Sequence, residues 1–514
     1  MMRKRKKYMK MYSLILTAGM VLSFSACGKT EDAADITTEE TAVESVTDSG
    51  DVTVESEEQD EVSEESDESN KTDETALSTE EAVEEETGEA DEDKSNGDDF
   101  VAKEDIDINE TYEDSSDGGH AIEADGEVAD YSNISVTKTG DADGDEADFY
   151  GENAAIFATN GATLTLSNIV VDTDGTHANG VFSYGEGTTV NISDSYIYTK
   201  NNCSGGLMTT GGGTMNATNL TILTEGNSSA AIRSDRGGGI VTVTKGSYTT
   251  NGTGSPVIYS TADITVNDAT LTSTASQGVV VEGQNSVTLN NVTLTADNNT
   301  KNSDKSDYYQ AVMIYQSMSG DADEGTASFT MKDGSITNKN GDIFFVNNTV
   351  ATIDLENVDI TNEDSEGVFL RAEAAGWGSE GSNGGNVTLN ANNQIIDGDI
   401  VVDDVSTLNM YLADSSDFTG SINSSGDAGS VYVEIDEGSV WTLTADSYIT
   451  SLTCDADSIN LNNYTLYVNG EEYISGTSST GSEVEVNVSE SGENGGDEKP
   501  DGGKPDGDPP SKPD

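Results

Sequence analysis

The sequence predicts an all-β solenoid, and three observations carry that prediction. A short phrase recurs through the middle of the chain with a period of about 23–26 residues. Within each copy, apolar and polar residues alternate, as they do in a strand with one buried face. In nearly every copy an Asn or Asp stands two positions after the last apolar residue of the first run, where the chain has to turn.

The clearest copy is residues 287–297, VTLNNVTLTAD. Taking the last apolar residue before the turn as an anchor gives Leu166, Ile192, Ala217, Val243, Val266, Leu289, Met331 and Leu355. Two positions on stand Asn168, Asp194, Asn219, Asp268, Asn291, Asp333 and Asn357, and only Lys245 breaks the row. Asn and Asp tolerate left-handed backbone better than any residue except glycine, and stacked Asn side chains can hydrogen-bond along a ladder. A second apolar row keeps nearly the same spacing: Ile156, Val181, Leu207, Ile232, Val257, Val279, Val312, Ile343 and Val368. A unit this short cannot bury its apolar face alone, so the copies must stack, each as a coil of three short parallel strands. One step is long, 42 residues from Leu289 to Met331, and places an insertion at 297–309 that is expected to protrude as a loop.

The composition agrees with this picture and narrows the partners. The 514 residues include 97 Asp and Glu against 23 Lys and Arg, a net charge of -74. Charge at that density holds solvated segments open, so the chain cannot be globular throughout. Nucleic acid is excluded as a partner, because the only basic cluster is Arg3, Lys4, Arg5, Lys6, Lys7 and Lys10. Fifty-four glycines beside six prolines suit many strands joined by tight turns.

In chain order, the basic cluster precedes an apolar run at 11–24 and then Ser25-Ala26-Cys27-Gly28, the three parts of an export signal. The run is too short for a comfortable membrane span. Small residues directly before a cysteine resemble the lipobox of bacterial lipoproteins. That resemblance implies that residues 1–26 are a signal peptide and that Cys27 carries a lipid holding the protein on the outer face of the cell membrane. Residues 27–116 have no periodic apolar face and read as a disordered acidic linker. Residues 117–486 hold the coils, and residues 487–514 form a disordered tail of Gly, Pro, Asp and Lys. After residue 386 the phrase loosens into irregular coils and a C-terminal cap, which an open solenoid end requires.

The repeat resembles the right-handed parallel β-helix of the pectin-lyase-like superfamily, and more narrowly the lipid-anchored β-helix surface proteins and adhesins of Gram-positive anaerobes. Residues 441–452, WTLTADSYITSL, resemble the terminal coils of secreted β-helix adhesins. The resemblance covers roughly residues 120–486 and is specific for fold. It implies a carbohydrate-binding or adhesion module for wall or host glycan. The alternatives are a calcium-dependent polysaccharide lyase or hydrolase, and a spacer without a ligand. Lyases of this fold use an arginine base beside calcium-binding carboxylates. Arg233 and Arg236 around Asp235 are the nearest match, whereas the GHG and RIK segments of polygalacturonase-like relatives are missing. No catalytic residue is assigned.

Alternation sends the residue after each member of the second row outward: Phe157, Phe182, Met208, Arg233, Ile258, Val280, Met313, Phe344 and Phe369. Such an apolar stripe is a ligand face, a partner face or a covered surface, unless both residues of each pair turn inward. Aromatic faces stack on sugars, so Phe182, Tyr184, Arg233 and Tyr315 are the candidate ligand-binding residues. Asp141, Asp143 and Asp145 offer oxygen at alternate positions, as calcium loops do, but the glycine comes fourth instead of sixth and a solvated acidic turn uses the same residues. His120 and His177 have no zinc-like spacing, and His177 reads as a turn residue. Cys203 and Cys454 lie about ten coils apart, on the order of 50 Å, and are expected to be free thiols.

Overall fold

A computed structural model describes residues 100–426 and 429–486, with the side chains of 145 and 146 excluded. The expected signal peptide, Cys27, most of the acidic linker and the C-terminal tail lie outside the described residues. The rest is a right-handed parallel β-helix.

Its long strands follow directly from the repeated phrase. Thr189–Thr199, Gly213–Thr224 and Gly239–Thr250 pair in parallel and in register, and each bends once near its middle. At the bend the predicted residues take left-handed backbone, from φ 48° at Asp194 to φ 56° at Asp333. Lys245 adopts the same conformation at φ 63°, without the side chain that favours it. The ladder is real as well: the Asn219 Nδ2 donates to Asp194 at 2.7 Å, Asn291 to Asp268 at 2.8 Å and Asn357 to Asp333 at 2.7 Å.

Both limbs of the bent strands belong to an 18-stranded sheet, while each coil adds one further strand to an 11-stranded sheet. After residue 394 a four-stranded sheet, Ile395–Asp397 to Ile459–Asn460, replaces the second limb. The interior is a set of columns. Leu164, Val190, Met215, Val241, Ile264, Val287, Phe329, Ile353 and Leu389 lie in register, and all are buried. Each such side chain contributes roughly 1.5–3 kcal/mol relative to exposure.

One inner corner is polar, and three successive coils satisfy it in the same way. The hydroxyls of Thr199, Thr224 and Thr250 donate at 2.6 Å to the carbonyls of Ser204, Ser229 and Ser255. Those serine hydroxyls in turn accept the N–H of Ala178, Ser204 and Ser229 from the preceding coil, at 2.9–3.0 Å. Buried polar groups are tolerated in these coils because each repeats their partners, whereas the Thr173 hydroxyl, one coil earlier, is buried without one.

The structure corrects the sequence reading in several places. Glu110–Asp114 pairs with Ile134–Lys138, so strand structure begins ahead of residue 117. In the 11-stranded sheet the inward column runs Ile232, Ile258, Val279, Val312, Phe344, Leu370, and not through Val257, Ile343 and Val368. At Val257-Ile258 and Ile343-Phe344 the adjacent residues are both apolar, so alternation has no contrast by which to set the phase, whereas Leu370 keeps the phase of Val368 and lies one step further along the strand. Cys454 is a free, buried thiol, but Cys203 is disulfide-bonded, since distance from Cys454 rules out only that one pairing. At the C-terminal end, Leu466–Val468 pairs antiparallel with Glu471–Glu472, which ends the parallel stack. Among the described residues no helix is long and apolar enough to cross a membrane.

Candidate functional site

The outer face of the 11-stranded sheet carries the row Phe157, Phe182, Met208, Arg233, Tyr259, Val280, Met313, Phe345 and Arg371. Ile258, Phe344 and Phe369, expected on this face, belong to the core instead. Two different covers divide the row.

Over the first part lies the helix Asp145–Tyr150. Phe157, Phe182 and Met208 close against Ala154 in an apolar cluster. Gly151 ends the helix at φ 74°, and a Cβ there would meet the Phe157 ring at 2.7 Å, so the site needs glycine on both counts. The helix is pinned by buried charge. Asp148 meets His177 Nδ1 at 3.0 Å and Arg233 at 3.3 Å, and Arg233 reaches Asp235 at 2.8 Å. Arg236 lies over the Phe149 ring at 4.1 Å and pairs with Asp321 at 2.7 Å. Burial, with Asp148 and Asp321 nearby, pushes the Asp235 carboxyl up to about 6 against the pull of Arg233.

The candidate residues here are therefore placed as follows. Phe182 and Arg233 are buried, and Tyr184 packs edge-on to Tyr150 at 5.8 Å. The Asp141 carboxylate accepts the Thr176 N–H at 2.8 Å, Asp143 is exposed, and Asp145 opens the helix. Asp148, His177 and Cys203 bring one ligand-type atom each within 4.8 Å of one another, all buried. The Cys203 sulfur is committed to its disulfide and Asp148 to Arg233, so these donors suit a salt-bridge knot better than a metal centre.

The second part of the row is a cleft of about 90 Å³. The 297–309 insertion does not protrude: it folds back over the sheet and forms one wall. Gly376 donates its N–H to the Lys305 carbonyl at 2.7 Å, and a Cβ on Gly376 would fall 2.9 Å from the Lys305 Cα. Val280, Met313, Tyr315, Phe345 and Trp377 form the packed floor and side, with Tyr259 against them. Tyr308 and Tyr309 line the opposite wall, and Gln277, Asn298 and Gln310 add polar groups. Cations stand beside three of these rings: Arg371 over Tyr308 at 3.7 Å, Lys305 over Trp377 at 5.7 Å and Lys301 over Tyr309 at 6.0 Å.

Behind the floor sits Glu282. Its carboxylate accepts hydrogen bonds from Ser317, Tyr259 and Tyr315, the last at 3.1 Å. Burial raises its pKa while the three hydroxyls oppose the rise. Burial likewise drives both tyrosines well above their ordinary value, so they remain donors and their rings stay fixed. Gln310 is 2% exposed, its Nε2 donates only to the Met313 sulfur at 3.3 Å, and its Oε1 has no hydrogen-bond partner.

Of the four candidate ligand residues only Tyr315 lines this cleft. Tyr259, Trp377, Gln310 and Glu282 escaped the sequence reading. The pair Tyr308-Tyr309 at the end of an insertion and a tryptophan in the glycine-rich stretch 376–385 are the signals that mark it. No protein-family model, no curated protein and no solved structure matches this chain.

Proposed function

We propose that the protein is a glycan-binding or adhesion module held at the cell surface by a lipid on Cys27, with the aromatic cleft as its binding site. The observation that carries this reading is the set of rings Tyr259, Tyr308, Tyr309, Tyr315 and Trp377 around one cleft on a rigid parallel sheet. Sugars present apolar C–H faces to such rings and hydroxyls to the amides between them. The rings are already immobilised, two of them by Glu282, so little ordering cost attends binding. The arginines favour binding over turnover: Arg233 is held by Asp148 and Asp235, and Arg236 by Asp321.

On a glycan array the full chain is expected to bind and the Trp377→Ala chain to lose binding, while Tyr411→Ala, far along the solenoid, retains it. Silence across the array, or binding indifferent to Trp377→Ala, would overturn the assignment. For the anchor, Cys27→Ser is expected to release the protein from the membrane fraction. The adduct on Cys27 is read directly by mass spectrometry; a residue without lipid rejects the anchor.

A further inference from the structure

We infer that the cleft receives a 2-acetamido sugar, with the acetamido group seated among Gln277, Gln310 and Met313. This specifies the glycan-binding reading and rests on it. The first ground is the state of the two glutamines. Gln310 keeps an unfilled, buried acceptor, and the amide nitrogens of Gln310 and Gln277 both point at one thioether sulfur, at 3.3 Å and 3.9 Å. Sulfur is a weak acceptor, so both amide nitrogens lack a strong partner; Gln277 is half-buried and its oxygen accepts the Ser276 hydroxyl at 2.7 Å, so the cost of burial falls on Gln310. A ligand amide supplies what is missing: an N–H for the Gln310 Oε1 and a carbonyl for the two amide nitrogens.

The floor discriminates among substituents. Val280 and Met313 are 4% exposed and apolar, which suits the methyl of an acetyl group. A sugar hydroxyl in the same place could satisfy an amide but would lay a polar group against that floor. A uronic carboxylate has no N–H and would set acceptor against acceptor at Gln310. A free ammonium would be stripped of water beside Lys305, whose pKa burial already lowers. Size agrees: about 90 Å³ holds a handful of heavy atoms, room for a substituent while the sugar ring stays at the mouth against Tyr308 and Tyr309.

Calorimetry on the full chain with N-acetylchitotetraose and cellotetraose tests this, because the two share a backbone and differ in the 2-substituent. The acetamido sugar is expected to bind at least about tenfold more tightly, the scale of one well-made buried hydrogen-bonded group. Gln310→Leu is expected to remove most of that preference and leave cellotetraose binding unchanged, with a thermal melt confirming the fold. If the variant does not fold, the two sugars on the unaltered chain still decide. Equal affinity for both sugars overturns the acetamido assignment and leaves a glycan site standing, whereas no binding to either, with a silent array, removes both. A muramic-acid-containing oligosaccharide as third probe separates sources: binding as tight as the chitotetraose identifies bacterial wall, and binding of chitotetraose alone identifies a chitin-type chain.

Discussion

Lys245 sits where seven equivalent positions hold Asn or Asp, in the same left-handed backbone. A long side chain gains nothing there from local hydrogen bonding, which is what lets Asn and Asp visit this region. Lys245→Asn is therefore expected to stabilise the coil by about 0.5–1 kcal/mol, read as a higher denaturation midpoint with an unchanged slope. An unchanged or lower midpoint would mean that the conformation is not the cost. These turn residues were legible in the sequence because their requirement is local and repeats with the period. The outward row was less so. Where a polar residue separates apolar ones, as at Leu289-Asn290, facing is unambiguous; at Val257-Ile258 and Ile343-Phe344 the two choices look alike, and the register carries the inward column through the second of each pair. Phe182 and Arg233 show a further gap: alternation gives the direction of a side chain but not whether a helix later lies on top of it.

At the scale of elements, the 297–309 insertion was visible as a 42-residue step, yet its path was not, because it packs against the second irregular stretch rather than against a repeat. The contact that closes the cleft is backbone to backbone, at Gly376 and Lys305. A Cβ on Gly376 meets the Lys305 main chain, which cannot swing aside as a flexible side-chain end would. Gly376→Ala should therefore lift the insertion at a cost of about 1–3 kcal/mol. The expected signs are faster tryptic cleavage after Lys301 and Lys305 and weaker glycan binding, with the main melting transition little changed. Cleavage at the rate of the unaltered chain would show that the loop is held by something else.

Over the whole β-helix, buried carboxyls set the response to pH. Burial raises the pKa of Asp235, to about 6, and also those of Glu282 and Asp342. A carboxyl whose folded pKa lies above its unfolded value contributes stability that is complete below the unfolded value, near 4, and lost as pH rises through the folded one. Asp114 and Asp364 are shifted downward and act oppositely, losing their contribution as pH falls below about 4, but they lie near the surface and weigh little. The melting temperature should thus rise between pH 7 and pH 5, with Asp235 supplying on the order of 1 kcal/mol and Asp235→Asn flattening the slope. A midpoint that falls toward pH 5 would contradict the burial argument. The same molecule has a direction written into its turns. Asn160, Asn219, Asn291 and Asn357 each give their amide hydrogen to an acidic side chain one coil earlier, at Asp125, Asp194, Asp268 and Asp333. A newly wound coil therefore finds its acceptor already in place on the coil before it, and a chain presented from its N-terminus can be laid down turn upon turn, each finished layer serving as the template for the next.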